Sequence, residues 1–371
     1  MRNLITGLAR ITRRPSGRDR QQGGIGVLVA VVLGGGVLLG MAALAIDVGQ
    51  IYQNRAELQS GADAGALAVA KSCALGACNT GAAGNYANSN ASALTGHNAA
   101  VDLVCGTTGL AACPAPVTGD FTDCPPIPAG GNYVDVHTST KISSGSTVLP
   151  PVFAETLVGS SSFSGTHVKA CAQAQWGPAE QANSLAITLS ICQWQSLTGG
   201  GSAFGTPTAV YLKSKANSTC FGPAGTVPGG FDWLNPTSPA VCQALIDLTT
   251  NTTYSNTGND TSASCKTAAY NDSAAYGAGN PVTVFLPIFD SVTGTGANLQ
   301  YHIMGLAGFV VTGYSDLSGG GGSGLPKAYG VNNLCTLNDP CIQGFFQPGI
   351  DPVTTIGPGV NFGALAIRLT G

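Results

Sequence analysis

The order of apolar and polar positions divides the chain into stretches of different period. From Gly23 to Ile46 there are 24 consecutive residues without a charged side chain. At about 1.5 Å rise per residue this run reaches roughly 36 Å as a helix, enough to cross the apolar layer of a bilayer. From Asp47 to Lys71 no proline interrupts, and Ile51, Arg55, Leu58, Ala62, Ala66 and Val69 recur at three- and four-residue steps, the spacing of one helical face. Gln53, Glu57, Gln59 and Asp63 fall mostly off that stripe. Together the two stretches predict one rod of about fifty residues and about 70 Å. Gly61 and Gly65 weaken it by about 1 kcal/mol each relative to alanine, so a bend is expected there.

Beyond residue 130 the period becomes two. Val134 and Val136 share a face in Tyr133 to His137, and Val168, Ala170, Ala172, Ala174 and Trp176 share one opposite Lys169, Gln173 and Gln175. Leu185, Ile187, Leu189 and Ile191 alternate as well; Ala209–Leu212, Val282–Leu286, Tyr301–Tyr314 and Ala364–Leu369 read as further strands. One short helix is predicted from Pro239 to Leu248, with Ser238 as its cap and Val241, Leu245 and Leu248 on one side. Residues 79–130, rich in Gly, Ala, Asn and Pro, read as a spacer, and Gly319–Gly322 with Ser323 and Gly324 as a flexible loop. The predicted class is α+β, a long N-terminal helix followed by a β-rich domain. The expected division is a basic segment 1–22, a membrane helix 23–46, its continuation 47–78, the spacer 79–130 and the β-rich domain 131–371, with two lobes joined near Gly177 and Pro178.

Charge gives the helix a direction. Arg2, Arg10, Arg13, Arg14, Arg18 and Arg20 precede the apolar run against Asp19 alone, leaving nine basic and seventeen acidic side chains for the rest of the chain. Positive charge beside a span resists translocation, so the N-terminus is expected in the cytoplasm and everything after Asp47 outside. The outer part is mildly acidic, which argues against a nucleic-acid partner. Ala43-Leu44-Ala45 has the form of a signal-peptidase site, but an apolar run of this length favours a retained anchor. Within the span, Gly36 and Gly40 have the G-x-x-x-G spacing that lets a second helix approach closely; the competing reading is that glycine is simply tolerated there.

All twelve cysteines, Cys73, Cys78, Cys105, Cys113, Cys124, Cys171, Cys192, Cys220, Cys242, Cys265, Cys335 and Cys341, lie beyond the span. An even set on the exported side reads as a disulfide framework, with Cys73–Cys78 and Cys335–Cys341 as local staples. There is no C-x-x-C pair and the four histidines are scattered, so neither a metal nor a cofactor is expected. With 53 glycines and 21 prolines the outer part contains much irregular backbone, which such cross-links would constrain.

The run from Leu44 to Ala70, with Asp47, Tyr52, Arg55, Leu58, Gln59 and Asp63 in register behind a glycine-led apolar span, resembles the N-terminal region of the TadE/TadG-like Flp pilus-assembly proteins. The resemblance implies a membrane-anchored, non-enzymatic component of a bacterial tight-adherence pilus or of its assembly machinery, with pilus proteins as partners. Type IV pilins usually carry Glu five residues past the processing glycine. Leu28 or Val29 stands there, so an uncleaved anchor is expected. Asp290-Ser291-Val292-Thr293 does not supply the D-x-S-x-S motif of the larger members' metal-binding domain.

Few other residues suggest chemistry. The chain has no G-x-S-x-G, P-loop or H-E-x-x-H motif, and Glu57, Glu155 and Glu180 are its only glutamates. Asp232 and Trp233, with Phe231 and Tyr254 nearby, read either as a sugar-binding groove or as core packing around a turn. The Asn/Asp-rich run 251–260 lacks the acidic spacing of a calcium loop. A membrane-anchored extracellular binding module or hydrolase on a similar anchor is the competing function.

Overall fold

A computed structural model describes residues 19–91, 98–114, 124–142, 146–149, 153, 165–211, 219–222, 225–228, 231–250, 253–255, 263–295, 298–315, 327–328, 332–335, 341–351 and 354–370. Arg2, Arg10, Arg13, Arg14 and Arg18, most of the Asn/Asp-rich run and the 319–324 loop lie outside the described residues.

Helix α1 runs unbroken from Asp19 to Ala74 over 56 residues. At the standard rise it is about 84 Å long. Its first half is bare of protein contacts: Ile25, Leu28, Leu33, Leu38, Leu39 and Met41 are each about two-thirds exposed. An unshielded aliphatic surface of this extent is a membrane-type surface, and the helix is long and apolar enough for a single-pass anchor. One face of its second half is buried, with Ala62, Ala66, Val69 and Ala70 essentially sealed from solvent.

What covers that half is a five-stranded sheet and a short helix. Helix α2 (Gly81–Ala91) is followed by β1 (Asn98–Gly106), β2 (Asn132–Lys141), β3 (Val148–Leu149), β4 (Thr166–His167) and β5 (Lys169–Pro178). Strands β1, β2 and β5 are antiparallel neighbours. Val134 and Val136 of β2 and Ala172, Ala174 and Trp176 of β5 form one cluster with Ala62, Ala66 and Val69 of α1, as the two-residue period requires. Small side chains on both sides let helix and sheet approach closely. At Gly65 an added Cβ would already lie 3.3 Å from the Ala83 carbonyl oxygen of α2 and 3.4 Å from Val136.

The chain then builds a second body from β6 (Gln181–Leu185), β7 (Ile187–Ser190), helix α3 (Ile191–Thr198), β8 (Thr208–Tyr211), β9 (Thr219–Gly222), β10 (Gly225–Pro228), β11 (Phe231–Trp233), β12 (Gln243–Asp247) and β13 (Thr253–Ser255). It continues through helix α4 (Ala263–Gly277), β14 (Thr283–Thr293), β15 (Gln300–Ser315), β16 (Lys327–Ala328), β17 (Cys341–Phe346), β18 (Gly349–Ile350), β19 (Val360–Asn361) and β20 (Ala364–Leu369). The second sheet has the order β11-β7-β14-β15-β17-β8, with β13, β16 and β19 also pairing to β15. Edge-on ring pairs Phe289–Tyr301, Phe309–Phe346 and Trp194–Phe362, with centroids 4.7–4.9 Å apart, fill its core. Strand β20 returns to pair antiparallel with β5, giving the first sheet the order β1-β2-β5-β20-β18. The second body is therefore inserted after β5, and the chain returns to the first sheet through β18 and β20, with β19 between them pairing to β15.

Four stretches depart from the sequence reading. The 79–130 spacer holds α2 and β1, because Ala83 and Ala87 bury completely against α1 and Asn88 accepts a hydrogen bond from the Ala99 N–H at 2.9 Å. Pro239–Leu248 is one 3₁₀ turn, Pro239–Val241, followed by β12. Ser238 makes no side-chain cap, and Cys242, left-handed at φ 55° and bonded to Cys265, ends the turn. Ala244, Ile246 and Leu248 then bury in alternation, leaving Val241 and Leu245 exposed. Ile191 opens a helix, not a strand end: Ser190 Oγ accepts from the Gln193 N–H and Gly199, at φ 58°, closes α3. Helix α4 has no apolar stripe in sequence and was not anticipated; Cys265 and Ala269 hold it to the core. The bend expected near Gly61 and Gly65 does not divide α1.

The cross-links run Cys73–Cys78, Cys105–Cys113, Cys124–Cys171, Cys242–Cys265 and Cys335–Cys341. Cys192 is also disulfide-bonded, and no described cysteine is free. Their loop lengths set a ranking. Closing the 47-residue separation of Cys124 and Cys171 removes about 4 kcal/mol of unfolded-chain entropy, against about 2 kcal/mol for the five-residue separation of Cys73 and Cys78. Chemical unfolding of the double serine variants should show that order of losses. Reducing agent should lower the melting temperature of the parent protein; identical melting with and without it would mean that the cross-links contribute nothing.

Candidate functional site

The residues with the most defined surroundings line α1. Leu58 is 3% exposed and packs in a cluster with Ala87, Ala99, Leu149, Val168 and Ala170. Its carbonyl accepts from Thr138 Oγ1 of β2 at 3.3 Å. Gln59 Nε2 donates both to Asp63 Oδ1, one turn on, and to the Cys171 carbonyl of β5, each at 2.9 Å. Leu58, Gln59 and Asp63 therefore form a seam: an apolar plug, a cross-link from helix to strand, and an acceptor that fixes the amide's orientation.

Asp47 stands at the end of the apolar run and is 7% exposed. Both its carboxylate oxygens accept from the Phe153 N–H, at 3.1 and 3.2 Å. Arg55 is half-buried, whereas Tyr52 points away from the body and is 70% exposed. Sequence reasoning missed two helix residues. Asn54 is buried and donates from Nδ2 to the Gln50 carbonyl at 2.9 Å, and Glu57, which lies off the predicted stripe, is buried too. The face covered by α2, β2, β5 and β20 is wider than one heptad-like stripe, which is why polar neighbours of the stripe are enclosed.

Gly36 and Gly40 lie in the bare half of α1. A Cβ added at either position would meet nothing within 4 Å, so no contact within the chain calls for glycine there.

The other candidates fall elsewhere. Trp233 is 2% exposed and sits in the core of the second body, Asp232 accepts from the Tyr301 hydroxyl, and the Tyr254 hydroxyl exchanges hydrogen bonds with the Asp247 backbone. Burial and Asp232 push the Tyr301 phenol well above its ordinary range. These side chains build the core and do not line a sugar groove. Asp290 pairs with His302 Nδ1 at 2.7 Å and also accepts from Ser291.

On the outer face of the first sheet two groups gather ligand-type atoms, Cys124 with His137 and Cys171, and Cys105 with Cys113 and Asp135. All four sulfurs are engaged in disulfides. A disulfide sulfur is not the thiolate that binds metal, so these sets act as staples over buried polar groups. Burial lowers the His137 pKa, with Asp102 opposing and Lys169 assisting that shift. Burial pushes the Asp135 carboxyl up, partly offset by the Gln173 side chain, and its Oδ1 has no hydrogen-bond partner.

A family model described as putative Flp pilus-assembly TadE/G-like matches residues 24–72. The matched segment is α1 from the start of the bare half to the end of the docked half, and it contains every residue of the seam. It indicates a pilus-related role. No curated protein and no solved structure matches the chain.

Two variants test the seam and the outer face. Ala66→Leu inserts three carbons where no space exists and should cost about 1–3 kcal/mol in chemical unfolding; an unchanged midpoint would mean that the helix is not tightly docked. For Asp135, the folded state holds the proton more tightly than the unfolded state. Its contribution is therefore most favourable below the ordinary carboxylate range and is lost as pH rises through the raised folded value. Asp135→Asn should stabilise by about 1–3 kcal/mol at neutral pH, and melting curves in acid should show that gain vanish.

Proposed function

We propose that this protein is a single-pass, non-enzymatic structural component of a Flp/Tad-type pilus or of its assembly machinery. The arginine segment lies in the cytoplasm, residues 23–46 span the bilayer, and the cross-linked body stands outside. The observation that carries this reading is the coincidence of the family match with one continuous helix. Its first half offers only an apolar surface, and its second half is locked into a folded body. Such a helix transmits position from the membrane to the body without a flexible joint.

Gly36 and Gly40 are the proposed contact with a second helix, since small residues at that spacing allow backbones to approach in lipid. Tyr52 lies about 9 Å beyond Ile46 along the helix. That is the depth of the headgroup layer, where an exposed tyrosine is favoured. Asp47, held by the Phe153 backbone, brings the body down to the membrane surface. The cysteines supply the rigidity that an exported body rich in glycine needs.

Replacing both Gly36 and Gly40 by leucine should lower recovery of the protein with pilus components several-fold after mild detergent extraction, with unchanged expression. Equal recovery would remove the helix contact. Protease added to intact cells should digest the body; protection of the body would reverse the proposed orientation.

A further inference from the structure

A cavity of about 430 Å³ opens in the second body, between α4, β6, the turn before β12 and the first residues of β14. That volume falls within the roughly 300–1,000 Å³ range of small-molecule sites. Its walls combine two kinds of group. Leu185, Val241, Val284 and Phe285 supply apolar surface, and Asp272 of α4 and Asp351 supply two carboxylates. No lysine, arginine or histidine is among the described lining residues. Val241 at this cavity stays half-exposed, as does Val282, so the apolar surface is presented to solvent and not closed over by the fold.

We propose that this cavity binds an aliphatic cation, an ammonium or guanidinium group on an apolar stem. The argument is one of complementarity. Walls that carry Asp272 and Asp351, with no cation among the described lining residues, disfavour an anion. A bare metal ion would leave the aliphatic walls unused, while a purely apolar ligand would strip water from Asp272 without compensation. An aliphatic cation satisfies both surfaces, its stem against Leu185, Val241 and Val284 and its charge at Asp272. Asp272 has no hydrogen-bond or ion-pair partner among the described residues, and burial alone pushes its carboxyl up to about 6. The fold thus holds an ionisable group partly out of water without stabilising its charge, and a bound cation would supply what is missing.

Two sources share this chemistry, a free diamine and a lysine or arginine side chain displayed by another protein. The test uses the full chain in detergent and ligand-observed saturation-transfer NMR with four probes: 1,5-diaminopentane, Nα-acetyl-lysine amide, 1,5-pentanediol and maltose. Binding by at least one of the two cations, and by neither neutral probe, supports the proposal. A preference for the free diamine points to a polyamine, and one for the lysine amide to a displayed side chain. Asp272→Asn should weaken binding about tenfold or more, which is about 1.4 kcal/mol. Ala268→Lys, which places the protein's own ammonium in the cavity, should abolish binding while melting stays cooperative. Failure of both cations to bind, equal binding of the diol or the sugar, or unchanged affinity in Asp272→Asn with Ala268→Lys would overturn it. None of these outcomes depends on the pilus role, because each probes the second body alone.

Discussion

The structure depends on the contact between the second half of α1 and the first sheet. An isolated helix leaving a bilayer loses its lipid surroundings and, at this composition, has little reason to persist in water. Here it persists because Ala62, Ala66 and Val69 meet Val134, Val136, Ala172 and Ala174 at close range. Two hydrogen bonds, Gln59 to the Cys171 carbonyl and Thr138 to the Leu58 carbonyl, fix the register of helix on strand. Small side chains bury little area each, so the seam relies on dispersion at short distance more than on removal of large apolar groups from water. That makes it intolerant of added volume and leaves it needing help from elsewhere.

The help comes through covalent links placed around the seam. Cys73–Cys78 closes the chain just as α1 ends, and Cys124–Cys171 fastens the outer face of the strand whose inner face carries the helix. Residue 171 is thus shared: its sulfur is tied on one side of the sheet and its carbonyl accepts Gln59 from the helix. On the outer face Cys105–Cys113 lies beside Asp135 and Cys124–Cys171 beside His137, where burial shifts both away from their ordinary pKa values. Polar groups of this kind are costly in a core. Their presence suits a sheet held together by cross-links and not by an apolar outer layer.

Much of this architecture is legible in the residues. The uncharged run, the three- and four-residue recurrence from Ile51 to Val69 and the two-residue alternation in β2, β5 and β20 each follow from one dominant period, and each became the expected element. The misses share a physical cause. In α2 and α4 the residues are small and polar and their helicity depends on tertiary burial of Ala83, Ala87, Cys265 and Ala269, which no local window contains. At Pro239–Leu248 the helical spacing of Val241 and Leu245 competed with the alternation of Ala244, Ile246 and Leu248; the left-handed Cys242, fixed by its link to Cys265, decided for the strand. The cavity beside α4 joins residues from 183 to 351, so only the folded chain brings them together.

The second body is rooted in the sheet that α1 packs against. Strand β5 carries α1 on its inner face, is bonded through Cys171 on its outer face, pairs with β2 along one edge and with β20 along the other. The chain enters the second body directly from β5 at Pro178 and leaves it into β20, which lies beside β5 again. Both connections therefore root in neighbouring strands of the sheet that α1 packs against. The fold thus ties the second body to the sheet that carries α1 through two neighbouring strands and not through a single connection.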